Sequence, residues 1–173
     1  MKWKKVALAV TAALTGGVIA MALLGHKVVH TEIVVPAPPQ AVWAVLTDPA
    51  GYAEWNPILV RAEGEYRAGQ QIRYRMRDEA GKESDITSTV IALDPPRAIE
   101  QFGGMRGVLT FEHRWRLEPV EGGTRVVQHE AYRGIGVWFW NPSGVERQYR
   151  QANEALRARV LKTQAAGQPA AEP

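Results

Sequence analysis

A histidine or carboxylate becomes chemically useful inside a protein when its neighbours on the same face are apolar, because burial moves its pKa and leaves it facing whatever is bound there. Two positions in this chain meet that condition. Across Val108–Glu118 the residues alternate, so Leu109, Phe111, His113, Trp115 and Leu117 share one side of an extended strand while Glu112, Arg114 and Arg116 take the other. Across Thr124–Arg133 one parity carries Val126, Gln128, Glu130 and Tyr132, which turns a carboxylate to the same side provided the strand has no bulge. His113, Glu130 and Tyr132 are thus the candidates for acid–base catalysis, or for a hydrogen bond to a ligand carbonyl. The competing role is structural: a neutral, buried His113 bonded to the backbone or to Glu130, whose carboxylate needs a partner in any case.

Other chemistries are disfavoured. With no Cys there is no thiol nucleophile, thiolate zinc site, disulfide or lipidated thiol. His129 and Glu130 are adjacent, so on a strand they face opposite sides and cannot join His113 around one metal; no metal is expected. Nor is there a glycine-rich phosphate loop, a serine elbow or a paired-carboxylate spacing.

Those residues must be positioned by a sheet. Turn signals at Ala68-Gly69, Asp78–Gly81, Asp94–Pro96, Gly103-Gly104 and Glu121–Gly123 separate six expected strands, Ile58–Glu63, Gln70–Arg77, Glu83–Leu93, Ala98–Phe102, Val108–Glu118 and Thr124–Arg133, the pattern of an antiparallel meander. Ile72, Tyr74 and Met76 oppose Arg73, Arg75 and Arg77, which again gives one apolar face and one charged face. The charged face reads as solvated, its acids weakening any preference for anionic head groups. Ahead of the meander come a strand at His30–Val35, a helix opened by Pro39 and carrying Ala41, Val42, Val45 and Leu46, and a short helix closed at Asn56-Pro57. A last helix, from Pro142 or Ser143 to Lys162, bears Val145, Tyr149, Ala152, Leu156 and Val160 on one stripe, and the apolar sheet face is the only partner large enough for it. Residues 163–173 read as a disordered tail.

The N-terminus is separate. Val6–Leu24 is uncharged and free of proline, and as a helix would reach about 28 Å, close to the roughly 30 Å of a bilayer's hydrocarbon. Lys2, Lys4 and Lys5 before it place the remainder on the extracytoplasmic side by the positive-inside rule. Two fates are open: an uncleaved anchor, or a signal peptide cut near Ala22, where Ala20-Met21-Ala22 has the small-x-small form. The chain of 173 residues carries 21 Lys+Arg against 18 Asp+Glu, but four of those basic residues lie in the acid-free first 30. The remaining 17 bases face 18 acids, a balance that argues against a nucleic-acid binder. The expected organisation is an anchor or signal over 1–27, one domain over 28–162, and the tail.

This order of elements, with Pro38-Pro-Gln-Ala-Val-Trp-Ala-Val-Leu-Thr-Asp48, then Tyr52-Ala-Glu-Trp-Asn-Pro57, then Gly122-Gly-Thr124 before the last strand, resembles the SRPBCC (START-like) superfamily and within it the polyketide cyclase/dehydrase family. The resemblance implies an α+β helix-grip fold, a curved antiparallel sheet wrapped around the long C-terminal helix, with a hollow apolar interior. On that basis the expected cavity lining is Trp55, Tyr74, Met76, Phe111, His113, Trp115, Val126, Gln128, Glu130, Tyr132, Tyr149, Ala152 and Leu156. The three aromatics Trp138, Phe139 and Trp140 fall beside the cavity mouth in such a fold. Either they dip into a membrane interface, where amphipathic rings prefer to sit, or they cover the cavity as part of the core.

The expected function is to bind or carry a small hydrophobic molecule, lipid-like or aromatic, without a cofactor and tethered to a membrane. The alternatives are a cofactor-independent cyclase or dehydratase, and an envelope adaptor. Only His113 and Glu130 converge as ionisable groups, which favours binding over catalysis.

Overall fold

The computed structural model of the protein describes Lys2–Gly167. Along the chain come α1 (Lys2–Leu24), β1 (His26–Val35), α2 (Pro39–Leu46), a 3-10 turn at Pro49–Gly51, α3 (Tyr52–Trp55), β2 (Leu59–Glu63), β3 (Gln71–Arg77), β4 (Glu83–Asp94), β5 (Ala98–Met105), β6 (Leu109–Val120), β7 (Gly123–Arg133), a second 3-10 turn at Ile135–Phe139, and α4 (Ser143–Gly167). The expected order of elements is found.

Three boundaries move by three residues or more from the sequence reading. β5 runs through Gly103-Gly104, expected as a turn, to Met105, because both glycines pair with β6 and the chain turns only at 106–108. β1 starts at His26 because it pairs with β7 along its whole length, from His26 opposite Arg133 to Val35 opposite Thr124, and the partner holds extended a stretch whose own alternation is weak. α4 continues beyond Lys162 through Gly167, into the stretch expected to be a tail. Gln164, Ala165 and Ala166 are tolerant of helix, and the Thr163 hydroxyl donates back to the Arg159 carbonyl. The rest of the expected tail, 168–173, lies outside the described residues.

The strands form one antiparallel sheet in the order β1-β7-β6-β5-β4-β3-β2. Its curl comes in part from register shifts between Leu59 and Arg61 and between Val90 and Ala92, since a bulge adds bend and twist to the strand that carries it. The β6–β7 register is unbroken, so Glu130 faces inward opposite His113. α4 crosses the concave face. Its Leu156 and Val160 pack with Val35, Val42, Leu46, Ile99, Trp115, Leu117 and Val126 into one core, and the amide of Asn153 donates to the Thr31 hydroxyl at 3.1 Å, pinning helix to strand.

On the convex face most arginines are paired, Arg75 with Asp85 at 2.8 Å, Arg77 with Glu83 at 2.7 Å, Arg114 with Glu112 and Glu100, while Arg116 is in no ion pair among the described residues. Such exposed pairs are worth about 0–1 kcal/mol each and mainly cancel one another's field. α1 is long and apolar enough to cross a membrane, and none of its residues is buried.

Leu156→Ala is expected to lower unfolding stability by about 2–5 kcal/mol, because Leu156 is wholly buried between α2 and the sheet. Leu161→Ala, on the exposed side of the same helix, is expected to change it by less than about 0.5 kcal/mol. Urea titration of the two variants checks this.

Candidate functional site

Where α4 and the sheet diverge they leave a cavity of about 70 Å³, bounded by Tyr52, Asn56, Ile58, Leu59, Tyr74, Met76, Ile86, Ser88, Gln101, Phe111, His113, Trp115, Gln128, Glu130, Tyr149 and Ala152. The structure brings together there Tyr74, Met76, Phe111, His113, Trp115, Gln128, Glu130, Tyr149 and Ala152 of the expected lining. It places the other four elsewhere. Val126 and Leu156 are in the solid core, where the sheet closes on α2 and α4. Trp55 stacks at a tilt on Tyr52, 5.2 Å between centroids, and shares a shallow outer groove with Arg159. Tyr132 belongs to a cluster with Val29 and Val137, and reaches the cavity's edge only through its hydroxyl.

The polar groups fall into two sets. In the first, the hydroxyls of Tyr132 and Tyr149 both donate to Oε2 of Glu130, one along the strand and one from α4. Burial lifts the Glu130 carboxyl to about 7, against the opposing pull of those two hydroxyls. The tyrosines are in turn held above their ordinary range by burial and by the carboxylate. His113 does not bond Glu130, contrary to one of the sequence readings; its Nε2 meets the Gln128 amide nitrogen at 3.0 Å, and its ring sits edge-on to Trp115 and Tyr149. Burial, with a smaller push from His129, drives its pKa down to about 3, so His113 is neutral and its Nε2 accepts from the Gln128 N–H. That leaves Gln128 Oε1, buried on the cavity wall, with no hydrogen-bond partner among the described residues.

The second set was not seen in the sequence. The Tyr52 hydroxyl donates to the Leu46 carbonyl at 3.0 Å. It lies 2.8 Å from Tyr66, Tyr66 lies 2.8 Å from Tyr74, and the Gln101 amide donates to Tyr74 at 2.8 Å and to Ser88 at 2.7 Å. One proton per hydroxyl fixes every direction: Tyr66 donates to Tyr52, Tyr74 to Tyr66, Gln101 to Tyr74. A signal existed, since Ser88 and Gln101 are polar at inward parity within Ile86-Thr-Ser-Thr-Val90 and Ile99-Glu-Gln-Phe-Gly103. Gly103 is required here, because a Cβ would come 2.3 Å from Phe111 Cζ and push that ring into the cavity.

Trp138, Phe139 and Trp140 do not line the cavity. Trp138 and Phe139 are 52% and 79% exposed, which removes the expectation that they form core; Trp140 packs on Tyr132 with centroids 4.6 Å apart.

A family described as "Polyketide cyclase / dehydrase and lipid transport" matches residues 26–161, nearly the whole domain. The chain belongs to this family. Among solved structures, the chain is similar to the ZhuI aromatase/cyclase from Streptomyces sp. R1128, at 25% identity over 83% of this chain and 99% of that one, with a TM-score of 0.67. Two further likenesses concern the fold alone: the di-domain ARO/CYC BexL of the BE-7585A biosynthetic pathway, at 13% identity, TM-score 0.67, covering 99% of this chain and 61% of that one, and Ara h 8.0201, at 18% identity, TM-score 0.62, covering 80% and 99%. A search of curated protein sequences gives no significant match.

As a polyketide cyclase/dehydrase-family domain, the chain thus presents an apolar cavity with a carboxyl that titrates near neutrality beside a histidine that does not. Among the described residues no group of three potential ligands could hold a metal ion. The two buried ionisable groups oppose each other in stability. Glu130, raised from 4.5 to about 7, keeps in the fold a proton that the unfolded chain loses, so its contribution is full at low pH and is lost as pH rises to about 7. His113, lowered from 6.5 to about 3, contributes fully above 6.5 and loses that contribution as pH falls towards 3. Relative to the unaltered chain, Glu130→Gln is expected to make stability rise more steeply with pH between about 4.5 and 6.5, and His113→Asn to shift the slope over the same range in the opposite sense. Urea denaturation at stepped pH reads both slopes, and a variant profile parallel to that of the unaltered chain would contradict the assignment.

Proposed function

We propose that this domain holds one small, largely apolar molecule bearing a hydroxyl or N–H group, and that α1 tethers it to a membrane. The observation that carries the reading is the cavity wall at Gln128: a buried acceptor without a partner costs about 1–3 kcal/mol, and the neighbouring Glu130 carboxyl can donate or accept according to its protonation. The family match and the likeness to an aromatase/cyclase support a hydrophobic ligand. Apolar burial against Met76, Phe111, Trp115 and Ala152 supplies affinity, and the polar groups fix orientation. At about 70 Å³ the cavity is smaller than the roughly 300–1,000 Å³ of pockets for drug-sized ligands, so a larger guest enters by displacing Met76, Phe111 or Tyr149, which are only partly buried.

Native mass spectrometry of the full chain released from nanodiscs is expected to show one bound small molecule that solvent extraction removes. Met76→Trp, which fills the cavity, is expected to lower its occupancy at least about tenfold, the equivalent of about 1.4 kcal/mol. An empty protein that also gives no heat with 2-naphthol, measured against empty nanodiscs, would defeat the proposal.

A second reading, cofactor-free acid–base catalysis of the cyclase or dehydratase kind, is favoured by the same carboxyl, since a general acid or base works best with its pKa near the working pH. The two readings separate at Glu130→Gln. Retention of the bound molecule in altered proportion of substrate and product, relative to the unaltered chain, indicates catalysis; an unchanged molecule indicates binding alone.

A further inference from the structure

At the end of the sheet where α1 joins it, four large apolar side chains stand in solvent: Met105 at 67% exposure, Val108 at 50%, Trp138 at 52% and Phe139 at 79%. They come from two segments that are stitched together. The tip of the β5–β6 hairpin accepts from the 3-10 turn, Ile135 N–H to the Gly107 carbonyl at 3.1 Å and Gly136 N–H to the Val108 carbonyl at 2.8 Å. The turn is bonded to the end of α1, through Gly134 N–H to the Gly25 carbonyl at 3.1 Å and the Trp138 indole N–H to the Met21 carbonyl at 2.9 Å. Gly25 alone separates α1 from β1, and a Cβ on it would fall 2.1 Å from the Gly134 oxygen and 2.7 Å from a Val137 methyl. Helix and domain therefore meet in a packed joint.

Residues 22–31, 102–109 and 131–142, which build this end, contain no Asp or Glu. They carry Lys27, Arg106 and Arg133. Lys27 donates to the Trp140 carbonyl, Arg106 lies 5.4 Å from the Phe102 ring centroid, and none of the three is in an ion pair among the described residues, whereas the convex-face arginines Arg75, Arg77 and Arg114 are paired.

We propose that this end of the domain is seated in the interfacial layer of the bilayer that α1 crosses, with Met105, Val108, Trp138 and Phe139 immersed and Lys27, Arg106 and Arg133 at head-group level. The proposal rests on reading α1 as a membrane span, and what sets the depth is the Trp138–Met21 hydrogen bond. Met21 lies three residues inside the end of α1, about 4.5 Å at 1.5 Å per residue, so the indole bonded to it stands at the hydrocarbon boundary, where tryptophan is favoured. The hairpin tip, bonded to the same turn, is carried to the same level. Unpaired cations beside immersed rings suit an anionic leaflet.

The absence of cysteine makes the test direct, since each introduced thiol is unique. Nitroxides are placed at Val108→Cys and Phe139→Cys in the full chain, reconstituted in phosphatidylcholine–phosphatidylglycerol vesicles. Gly16→Cys in α1 serves as the lipid reference, and Glu121→Cys, on the β6–β7 turn, as the aqueous one. Oxygen-to-nickel collision ratios at 108 and 139 are expected to be severalfold above that at 121 and to approach that at 16, and the ratio at 108 is expected to fall to the aqueous level in Trp138→Glu/Phe139→Glu. A lipid-like ratio at 16 with aqueous ratios at 108 and 139 overturns the seating while leaving the anchor intact. An aqueous ratio at 16 overturns the span itself. Broadening between labels at 108 that vanishes on dilution with unlabelled protein would assign the surface to a second copy of the chain, and overturns the proposal as well.

Discussion

The pairing of β1 with β7 joins the two ends of the domain's sequence, and the interior depends on it. A meander of six strands would leave β7 as an edge, with its row of N–H and C=O groups and its inward Gln128 and Glu130 open to water. With β1 laid against it from His26 to Val35, β7 becomes an inner strand, Val29 covers Tyr132, and Thr31 meets Asn153 of α4. Closing so long a loop costs entropy that grows only slowly with its length. The same strand begins where α1 ends, so a single register sets the wall of the cavity and the attitude of the domain on α1.

Within that closure the chain keeps more polarity than packing alone asks for. A sheet and helix of this size could bury an all-apolar seam, and uncompensated polar groups in such a place are costly. Instead one side of the cavity carries a carboxyl clasped by two tyrosines and a histidine held neutral by burial, and the other carries an ordered row of hydroxyls. Departures from the cheapest core of this kind concentrate where proteins do something other than fold.

Much of this was legible in the residues. Period-two alternation placed Phe111, His113 and Trp115 on one face, and the stripe from Val145 to Val160 placed α4 on that face, because those patterns are local and repeat over ten or more residues. Glu130 was legible as inward because its strand has no bulge. What stayed hidden was which neighbour each polar group would choose. His113 and Glu130 face each other across β6 and β7, yet each bonds elsewhere, to Gln128 and to Tyr132 and Tyr149, since side-chain length and tilt decide partners and neither is written in parity. Tyr66 lies in the connection between β2 and β3, where no periodicity reports on direction. The depth at which Val126 and Leu156 leave the cavity for solid core likewise depends on where α4 converges with the sheet, a property of two elements far apart in sequence.

The three stacked tyrosine hydroxyls have the look of a proton wire leading from the cavity into the body of the domain. Their direction says otherwise. A wire conducts by passing a proton in at one end and releasing one at the other, after which every hydroxyl must turn round. Here the last acceptor is the amide carbonyl of Leu46, which has no proton to return and no basicity with which to keep one. At the other end the Gln101 amide gives both of its protons away and is itself no acid. The row is a dead end for charge, so it relays no proton between the cavity and the body of the domain.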